Sequence, residues 1–532
     1  MDRRQKTIAR AVATAFAAAS LAGAPYARAD DESQREIRAL KEQIEMLSRK
    51  VDELSRKEAA TSARQREIES HPPPMAQAAS SAAGPVAKPG NSLTWNVGGG
   101  EVTLYGHVDV SLDEQNNGMT GFLNGGLPVT GHNGWVPDIS SNLSYFGVRG
   151  QRPVTPDLTA LFQFETEVAF AATPGASDQA PDGTQQKFSL GSRNSFIGMR
   201  SGQWGTIYLG KTDTPYKTST GRLDPFASTP GDYNAIMGNS GGDNRAEFDS
   251  RLSHSAWYES PKMGPWSFGL LFSPGQNRST DTELYAQGEP DCTGGNSSAG
   301  LNGNNGQPNP CEDGSFGNAF SSALRYQSGP LYAIAAYEIH KNVNRKGDEI
   351  DPGTIGVRDE MAAKIGVQYT FPTHTTVDFI VERLKRDAIT PALDERTHTA
   401  TWLAVTQHMT AMDDLNLGWA HVGHSPGQPD QGVQDHLGNA NGPGSSDNGA
   451  DLLSIGYKHR FGDNRTTWYA TYSRLKNEYW GHYSLGAGGH GLPTRNYVGD
   501  KFIGGCSNDG NCGPPFTGNT AQAFSIGMTY DY

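Results

Sequence analysis

The most regular feature of the chain is an alternation of apolar and polar side chains along short segments. In residues 101–112 the even positions are apolar or glycine, while the odd positions are polar or tyrosine. Residues 360–371 and 521–532 repeat this alternation. Because successive side chains of a strand point to opposite faces, a period of two predicts β-strands that each have one apolar face.

The alternation extends over sixteen segments, and periodicity alone permits two architectures for them. In a water-soluble sandwich the apolar face forms the core, whereas in a membrane barrel it faces lipid and the polar face lines a wet lumen. The predicted strands are 101–112, 142–151, 158–170, 191–200, 205–213, 250–260, 265–273, 319–327, 331–341, 360–371, 375–384, 398–408, 414–423, 450–461, 465–475 and 521–532.

The connections between these segments distinguish the two architectures, because short and long connections alternate without exception. Seven are short and contain Pro, Gly, Asn or Asp, which form turns. Eight are long, from 13 residues at 385–397 to 45 residues at 274–318 and 476–520. Outer-membrane barrels have this asymmetry, with short periplasmic turns and long external loops. We therefore predict an all-β fold, a sixteen-stranded antiparallel transmembrane β-barrel with both termini on the periplasmic side.

The first 29 residues have the features of a secretory signal peptide. Basic residues precede an apolar stretch from Ala11 to Ala24, and the segment 1–29 ends in the small-x-small sequence Ala27-Arg28-Ala29. Together with the predicted barrel, this segment leads us to expect a protein of the outer membrane of a Gram-negative bacterium.

Two further segments precede the predicted barrel domain, which spans residues 92–532. Residues 30–58 carry apolar positions spaced alternately by three and four residues, which predicts a short α-helical coiled coil in the periplasm. Residues 59–91 are rich in Ala, Pro and Ser and are typical of a linker.

Composition excludes several classes of protein. No stretch beyond the N-terminus approaches the roughly 18 apolar residues of a membrane helix. The formal net charge of -13 argues against a nucleic-acid partner. No HExxH, GxSxG, P-loop or dinucleotide-binding motif occurs in a strand–turn–helix context. We therefore predict no enzymatic activity and no cofactor.

All four cysteines follow the signal peptide, in an exported region where disulfides are permitted. Cys292 and Cys311 share one Gly/Asn-rich stretch, and Cys506 and Cys512 bracket five residues of another. Four cysteines allow three pairings, of which the two local bridges are the most economical. No His or second Cys lies at ligand spacing, so we predict disulfides and no metal site.

Six short motifs resemble those of Gram-negative general porins in order and spacing, over about residues 92–532. The motifs are Leu104-Tyr105-Gly106-His107, Phe146-Gly147-Val148-Arg149-Gly150, Leu161-Phe162-Gln163-Phe164-Glu165, Phe196-Ile197-Gly198-Met199, Gly205-Thr206-Ile207-Tyr208-Leu209-Gly210-Lys211 and Tyr258-Glu259-Ser260-Pro261. The resemblance is to the proteobacterial sixteen-stranded trimeric porins, especially the β-proteobacterial type. It implies a homotrimer in outer-membrane lipid and lipopolysaccharide. Each barrel would then be a water-filled channel for passive diffusion of ions and small hydrophilic solutes, constricted by the third long loop, 214–249.

The resemblance also implies which residues line the channel. By matching position, the basic candidates on the pore wall are Arg149, Arg193, Lys211 and Arg251, with His107 as a further lumenal candidate. The acidic candidates on the constriction loop are Asp224, Asp232, Asp243, Glu247 and Asp249. Opposed bases and acids across a narrow gap create a transverse field that favours small hydrophilic solutes.

Two wall positions depart from the family pattern, since Tyr145 and Trp257 stand where these porins often carry arginine. From residue 92 on, the chain has 29 basic and 45 acidic residues, so we expect a preference for cations or neutral solutes. One alternative is a substrate-selective channel for sugars or organic acids, with the two aromatic residues as a stacking platform. Another is a structural barrel that tethers the envelope through binding of the coiled coil to the cell wall, although the same helix is equally a candidate trimerisation device.

Overall fold

The fold is known from a computed structural model of the chain. The structure describes residues 86–88, 91–116, 118, 121–124, 127–130, 135–168, 170–171, 191, 193–238, 248–249, 251–274, 289–290, 315–343, 358–386, 397–424, 449–478, 483, 485, 502–503, 506–507 and 520–532. The predicted signal peptide, the predicted coiled coil and most of the predicted linker lie outside these residues.

Strands form nearly all of the regular structure. In chain order they are β1 (Val86–Lys88), β2 (Asn91–Val97), β3 (Gly100–Asn116), β4 (Gly121–Asn124), β5 (Leu127–Thr130), β6 (Val136–Ser141), β7 (Tyr145–Thr155), β8 (Leu158–Glu167), β9 (Ser195–Ser201), β10 (Gly205–Asp213), β11 (Arg251–Glu259), β12 (Trp266–Ser273), β13 (Glu289–Pro290), β14 (Ser315–Phe316), β15 (Asn318–Ser328), β16 (Leu331–Val343), β17 (Arg358–Thr370), β18 (Thr375–Arg386), β19 (His398–His408), β20 (Asp413–Val422), β21 (Ala450–Arg460), β22 (Thr466–Asn477), β23 (Phe502–Ile503), β24 (Cys506–Ser507) and β25 (Thr520–Asp531).

The described helical elements are short. They are the α-helix α1 (Pro215–Thr220) and two 3₁₀ helices, Gly221–Leu223 and Tyr233–Ala235. Among the residues that the structure describes, no helix is long and apolar enough to span a bilayer.

Sixteen strands pair in antiparallel order and close into one barrel. They are β3, β7 to β12, β15 to β22 and β25, each paired with its neighbour in chain order. The ring closes where β25 pairs with β3, from Gln522 opposite Asn116 to Asp531 opposite His107. The predicted sixteen-stranded antiparallel barrel is therefore confirmed, and each predicted strand differs from the observed one by only a few residues at its ends.

Side-chain exposure identifies the two faces of the barrel wall. In β3 the apolar side chain of Leu112 is 57% exposed, whereas its polar neighbour Ser111 is 2% exposed. In β17 the exposed side chain is Ile365 and the buried one is Lys364. A soluble sandwich would bury the apolar members of these pairs. The inverted arrangement places apolar side chains toward lipid and polar side chains toward the lumen, as in a transmembrane barrel.

The second wall strand is interrupted near its external end. The first half of β3 pairs with β7, up to His107 opposite Tyr145, and its second half pairs with β6, from Val110 opposite Ser141. Between β6 and β7, Leu143 has a φ of 57°, a left-handed conformation that breaks the ladder. The predicted strand 142–151 thus begins in this break and corresponds to β7, while β6, which precedes the predicted strand, pairs with the same partner.

The strand β2 and the C-terminal residue both contact β3 at the rim that carries the short turns. β2 pairs with the start of β3, with Thr94 opposite Thr103, and β1 pairs with β2. A short strand therefore occupies residues 86–88, within the segment predicted as a linker. At the other terminus, the backbone N–H of Gly106 donates to the carbonyl oxygen of Tyr532 at 3.2 Å. A Cβ on Gly106 would lie 2.3 Å from the Tyr532 ring, so the ring fits in this position because residue 106 has no side chain.

Candidate functional site

The third long loop begins with a capped helix directly after β10. The Thr214 hydroxyl oxygen accepts the backbone N–H of Lys217 at 3.1 Å, and Pro215 occupies the first helical turn of α1, where it loses no hydrogen bond. α1 is followed by the 3₁₀ helices Gly221–Leu223 and Tyr233–Ala235. Of the loop predicted at 214–249, the structure describes residues 214–238 and 248–249.

This loop lies inside the barrel, against the lumenal face of the wall. The backbone N–H of Tyr216 donates to Ser321 Oγ of β15 at 3.0 Å. The Tyr332 hydroxyl of β16 donates to the carbonyl oxygen of Ser219 at 2.8 Å. Trp402 Nε1 of β19 donates to the loop carbonyl of Leu223 at 2.9 Å. These contacts come from inward-facing side chains of separate strands, so the loop occupies part of the lumen.

The described acids of the loop are buried, and one of them pairs with a base of the wall. Asp224, Asp232 and Asp249 are each at most 8% exposed. Asp249 Oδ1 accepts from Lys364 Nζ of β17 at 2.7 Å, and both side chains of this ion pair are buried. Asp232 Oδ1 accepts the backbone N–H of Asn234 at 2.9 Å and thereby caps the second 3₁₀ helix. These carboxylates therefore hold the loop in place.

Asp224 and Asp232 form a buried pair of carboxyl groups. Burial, and next the charge of Asp232, raise the pKa of Asp224 well above its ordinary value. Burial also raises the pKa of Asp232. Two carboxylates in one water-poor site do not both ionise readily. The pair therefore binds a proton more readily than an isolated carboxyl group does. The remaining candidates, Asp243 and Glu247, lie outside the described residues.

Two of the predicted wall bases are neutralised by acids on neighbouring strands. Arg193 Nε donates to Glu165 Oε1 at 2.7 Å, and its guanidinium stacks 4.6 Å from the centre of the Tyr145 ring. Arg251 Nη2 lies 3.1 Å from Asp213 Oδ1. Both arginines are thus held within ion-pair networks of the wall, which reduces the field they exert on a passing solute.

Arg149 and Lys211 differ from these two. Arg149 is exposed on the lumenal face of β7, with its guanidinium carbon 4.9 Å from the centre of the Tyr105 ring. A cation over an aromatic face retains its full positive charge. Lys211 stands opposite Ser195 at a β-bulge of β10, where the alternation of faces is broken, and the structure does not bring it together with the other bases.

The remaining candidates are the aromatic residues and the histidine. His107 Nδ1 lies 2.8 Å from Asp531 Oδ1, across the seam where the barrel closes, and its ring stacks on Tyr145. Trp257 is only 7% exposed, because its ring stacks at 4.8 Å on Tyr208 and packs edge-on against Phe196. Trp257 is therefore a packed part of the wall and offers no open face for stacking a sugar.

Arg222 is a lumenal cation that the sequence interpretation missed. It is exposed on the loop, and its Nη2 and Nε donate to Gln368 Oε1 at 2.6 and 3.0 Å. Its Nη1 donates to Gln327 Oε1 at 3.2 Å, and its guanidinium carbon lies 4.4 Å from the centre of the Tyr332 ring. Among the described residues, neutral partners on three strands thus hold Arg222 without a contacting carboxylate, and Gln368 Nε2 in turn donates to Asp378 Oδ1 at 2.6 Å. In the sequence it is one arginine near the start of a loop whose predicted constriction residues are all acidic.

The last candidates from the sequence are metal ligands and disulfide bridges. Within the described ranges, no group of three or more His, Cys, Asp or Glu side chains is arranged to hold a metal ion. Cys292, Cys311 and Cys512 lie outside the described residues. Cys506 begins the two-residue strand β24, but its predicted partner is not described, so the disulfide pairing stays a prediction.

Known proteins resemble this chain in sequence and in fold. The model of the Gram-negative porin family matches residues 74–479. An outer membrane porin protein of Bordetella pertussis is 24% identical over 290 residues, which are 51% of this chain and 64% of the relative. The chain thus matches slightly less than two thirds of that relative's length.

One solved structure agrees with this chain in fold at low sequence identity, and a second is reported beside it. An anion-selective porin from Comamonas acidovorans matches with a TM-score of 0.53 and 16% identity, over 81% of this chain and 100% of its own. OmpT, an outer membrane protein of Vibrio cholerae, matches with a TM-score of 0.47 and 12% identity, over 82% and 99% of the two chains.

Proposed function

Because this chain belongs to the Gram-negative porin family, we propose that it forms a water-filled channel in the outer membrane for passive diffusion of ions and small hydrophilic solutes. The observation that carries this proposal is a closed barrel with inward polar side chains and a long loop inside its lumen. Such a wall solvates permeating ions, while the lipid-facing apolar side chains hold the barrel in the bilayer. The family consists of channel proteins, and the chain is not an enzyme.

The loop from Thr214 to Asp249 is the constriction of this channel. Its contacts cover the lumenal face of β15 to β21, from Ser321 to Ser454. A solute therefore passes through the part of the lumen that the loop leaves open, where the charges of the loop and of the wall act on it.

The accessible charges of the described lumen favour anions. Asp224, Asp232 and Asp249 are buried and add little negative charge to the aqueous path. Arg149 and Arg222 are exposed to it, and the described part of the chain gives neither of them an ion-pair partner. We therefore propose a preference for anions. This proposal replaces the cation preference expected from the net charge, because net charge does not distinguish buried from lumenal carboxylates.

A planar-bilayer measurement tests both parts of this proposal. The full-length mature protein, purified in detergent, is added to one side of a bilayer in a KCl gradient. We expect stepwise conductance increments. We also expect a reversal potential whose sign is that of a chloride-selective channel. Absence of increments would refute the channel, and a potassium-selective potential would refute the assignment of charges.

The assembly and the N-terminal region complete the proposal. Family membership supports a homotrimer in contact with outer-membrane lipid and lipopolysaccharide. The helix predicted at residues 30–58 from the heptad pattern is proposed to lie in the periplasm. That helix serves either trimerisation or attachment to the cell wall. Deletion of residues 30–91 separates the two roles: loss of cross-linked trimers identifies an assembly device. Intact trimers with weaker retention on isolated cell wall identify a tether.

A further inference from the structure

The lumenal face beneath the constriction loop is apolar at several positions. Its inward positions on β19 and β20 include Ala400, Ala404 and Ala420, all fully buried. Small apolar side chains do not solvate ions, so this surface serves something other than the water path. The loop covers it with Leu223 and Phe226, which are at most 1% exposed. The loop therefore docks through an apolar interface inside an aqueous channel.

The ring of Phe226 rests directly on the backbone of two neighbouring strands. A Cβ on Gly418 of β20 would lie 2.8 Å from Phe226 Cε2, and a Cβ on Gly456 of β21 would lie 2.9 Å from Phe226 Cε1. Apolar carbons ordinarily stay about 3.5–4.0 Å apart. Trp402 bounds the same site, with its ring centre 6.1 Å from that of Phe226 and the two rings nearly perpendicular. Only residues without a side chain admit the ring at this depth.

We propose that Gly418 and Gly456 form a socket for Phe226 that sets how far the constriction loop projects into the lumen, and hence the largest neutral hydrophilic solute that passes. This inference rests on the proposed channel function. The wall lies behind the ring and is held by strand pairing, whereas the loop lies in front of it. A side chain added to the socket therefore displaces the ring and its loop toward the water path.

Gly456→Ala is the cleanest variant for a test. Its new Cβ would approach only Phe226 closely, the next contact being Thr471 Oγ1 at 3.4 Å, whereas a Cβ on Gly418 would also meet the Trp402 ring at 2.3 Å. Relief of the Phe226 contact requires a shift of about 1 Å. We expect a lower single-channel conductance in KCl, and slower swelling of proteoliposomes in a series of neutral sugars, most strongly for the largest sugar. Anion preference stays unchanged because no charge is altered.

The matched control is Gly202→Ala, since a Cβ on Gly202 meets no atom within 4 Å. We expect this variant to have the conductance of the wild type and the same largest permeating sugar. A double-mutant cycle with Phe226→Ala then identifies the route of the effect, because a socket acts only through the ring. In the Phe226→Ala background, Gly456→Ala is expected to cause no further change.

The outcomes separate this inference from the channel proposal. Single-channel conductance is read from each inserted molecule, so a lower yield of folded Gly456→Ala protein leaves the readout intact. Wild-type protein without any conductance steps refutes the channel itself. A conducting wild type with an unchanged Gly456→Ala variant refutes the socket, and so does an effect of Gly456→Ala that persists when Phe226 is replaced.

Discussion

Replacement of Arg222 tests whether a lumenal charge, rather than net charge, determines ion preference. Its guanidinium is exposed and is held by glutamine amides and a tyrosine ring, so its positive charge is not cancelled by a contacting carboxylate. In a water-filled lumen with ε of about 80, a unit charge about 5 Å away attracts an anion by about 0.8 kcal/mol and repels a cation equally. Screening at 0.1 M salt, where the Debye length is about 10 Å, reduces each term to about 0.5 kcal/mol.

The two terms together predict a change of about 1 kcal/mol in the relative energies of chloride and potassium, or about five-fold in permeability ratio. We expect Arg222→Gln to lower the chloride-to-potassium permeability ratio by this factor, and Arg222→Glu to lower it by the same factor a second time. The reversal potential then shifts stepwise toward that of potassium. The control is Arg465→Gln, which removes an arginine from an exposed periplasmic turn. A reversal potential that is the same in wild type, Arg222→Gln and Arg222→Glu would refute the assignment of Arg222 to the ion path.

Three further substitutions test the packing of the loop and the closure of the barrel. Asp224→Asn is expected to stabilise the barrel increasingly as pH rises above about 4, because the raised pKa of Asp224 means that the folded state binds a proton that the unfolded chain releases; urea unfolding in detergent at pH 5 and pH 8 measures this. Lys364→Met leaves the carboxylate of Asp249 buried without its cation and is expected to cost about 3–5 kcal/mol of unfolding free energy; an unchanged urea midpoint would contradict it. Gly106→Ala is expected to lower the yield of folded barrel, seen as the heat-modifiable band on gels, because its Cβ would meet the ring of Tyr532; wild-type yield would show that the ring is easily accommodated elsewhere.

The barrel was predictable because lipid imposes a strict condition on each strand. Every outward position between the turns must be apolar, so the alternation in β17 and β25 is visible without any tertiary information. The interruption between β6 and β7 was not predictable, because it depends on one residue, Leu143, in a left-handed conformation. Strand ends differ by a few residues since the ladders continue into the external loops.

The charges of the constriction were much less predictable than the fold. Asp249 is neutralised by Lys364, which lies 115 residues further along the chain, and no local pattern indicates such a pair. For the same reason the sequence predicts the loop acids on the water path and gives no indication of the role of Arg222. The family resemblance located the loop correctly but did not indicate which of its side chains face the wall.

The sequence itself contains one signal of loop docking. Along β19 the inward positions Ala400, Trp402 and Ala404 are as apolar as the outward ones. A strand that is apolar on both faces cannot have water on either face, so something other than solvent covers its lumenal side. Loss of alternation within an otherwise alternating barrel therefore marks where an internal loop packs.

The most direct test of the central claim is the conductance of the purified protein in a planar bilayer under a KCl gradient. The structure predicts stepwise openings with a reversal potential set by chloride. A bilayer that stays silent at protein concentrations sufficient for insertion, verified by recovery of the protein in the membrane fraction, would contradict the claim that this barrel encloses an open aqueous path.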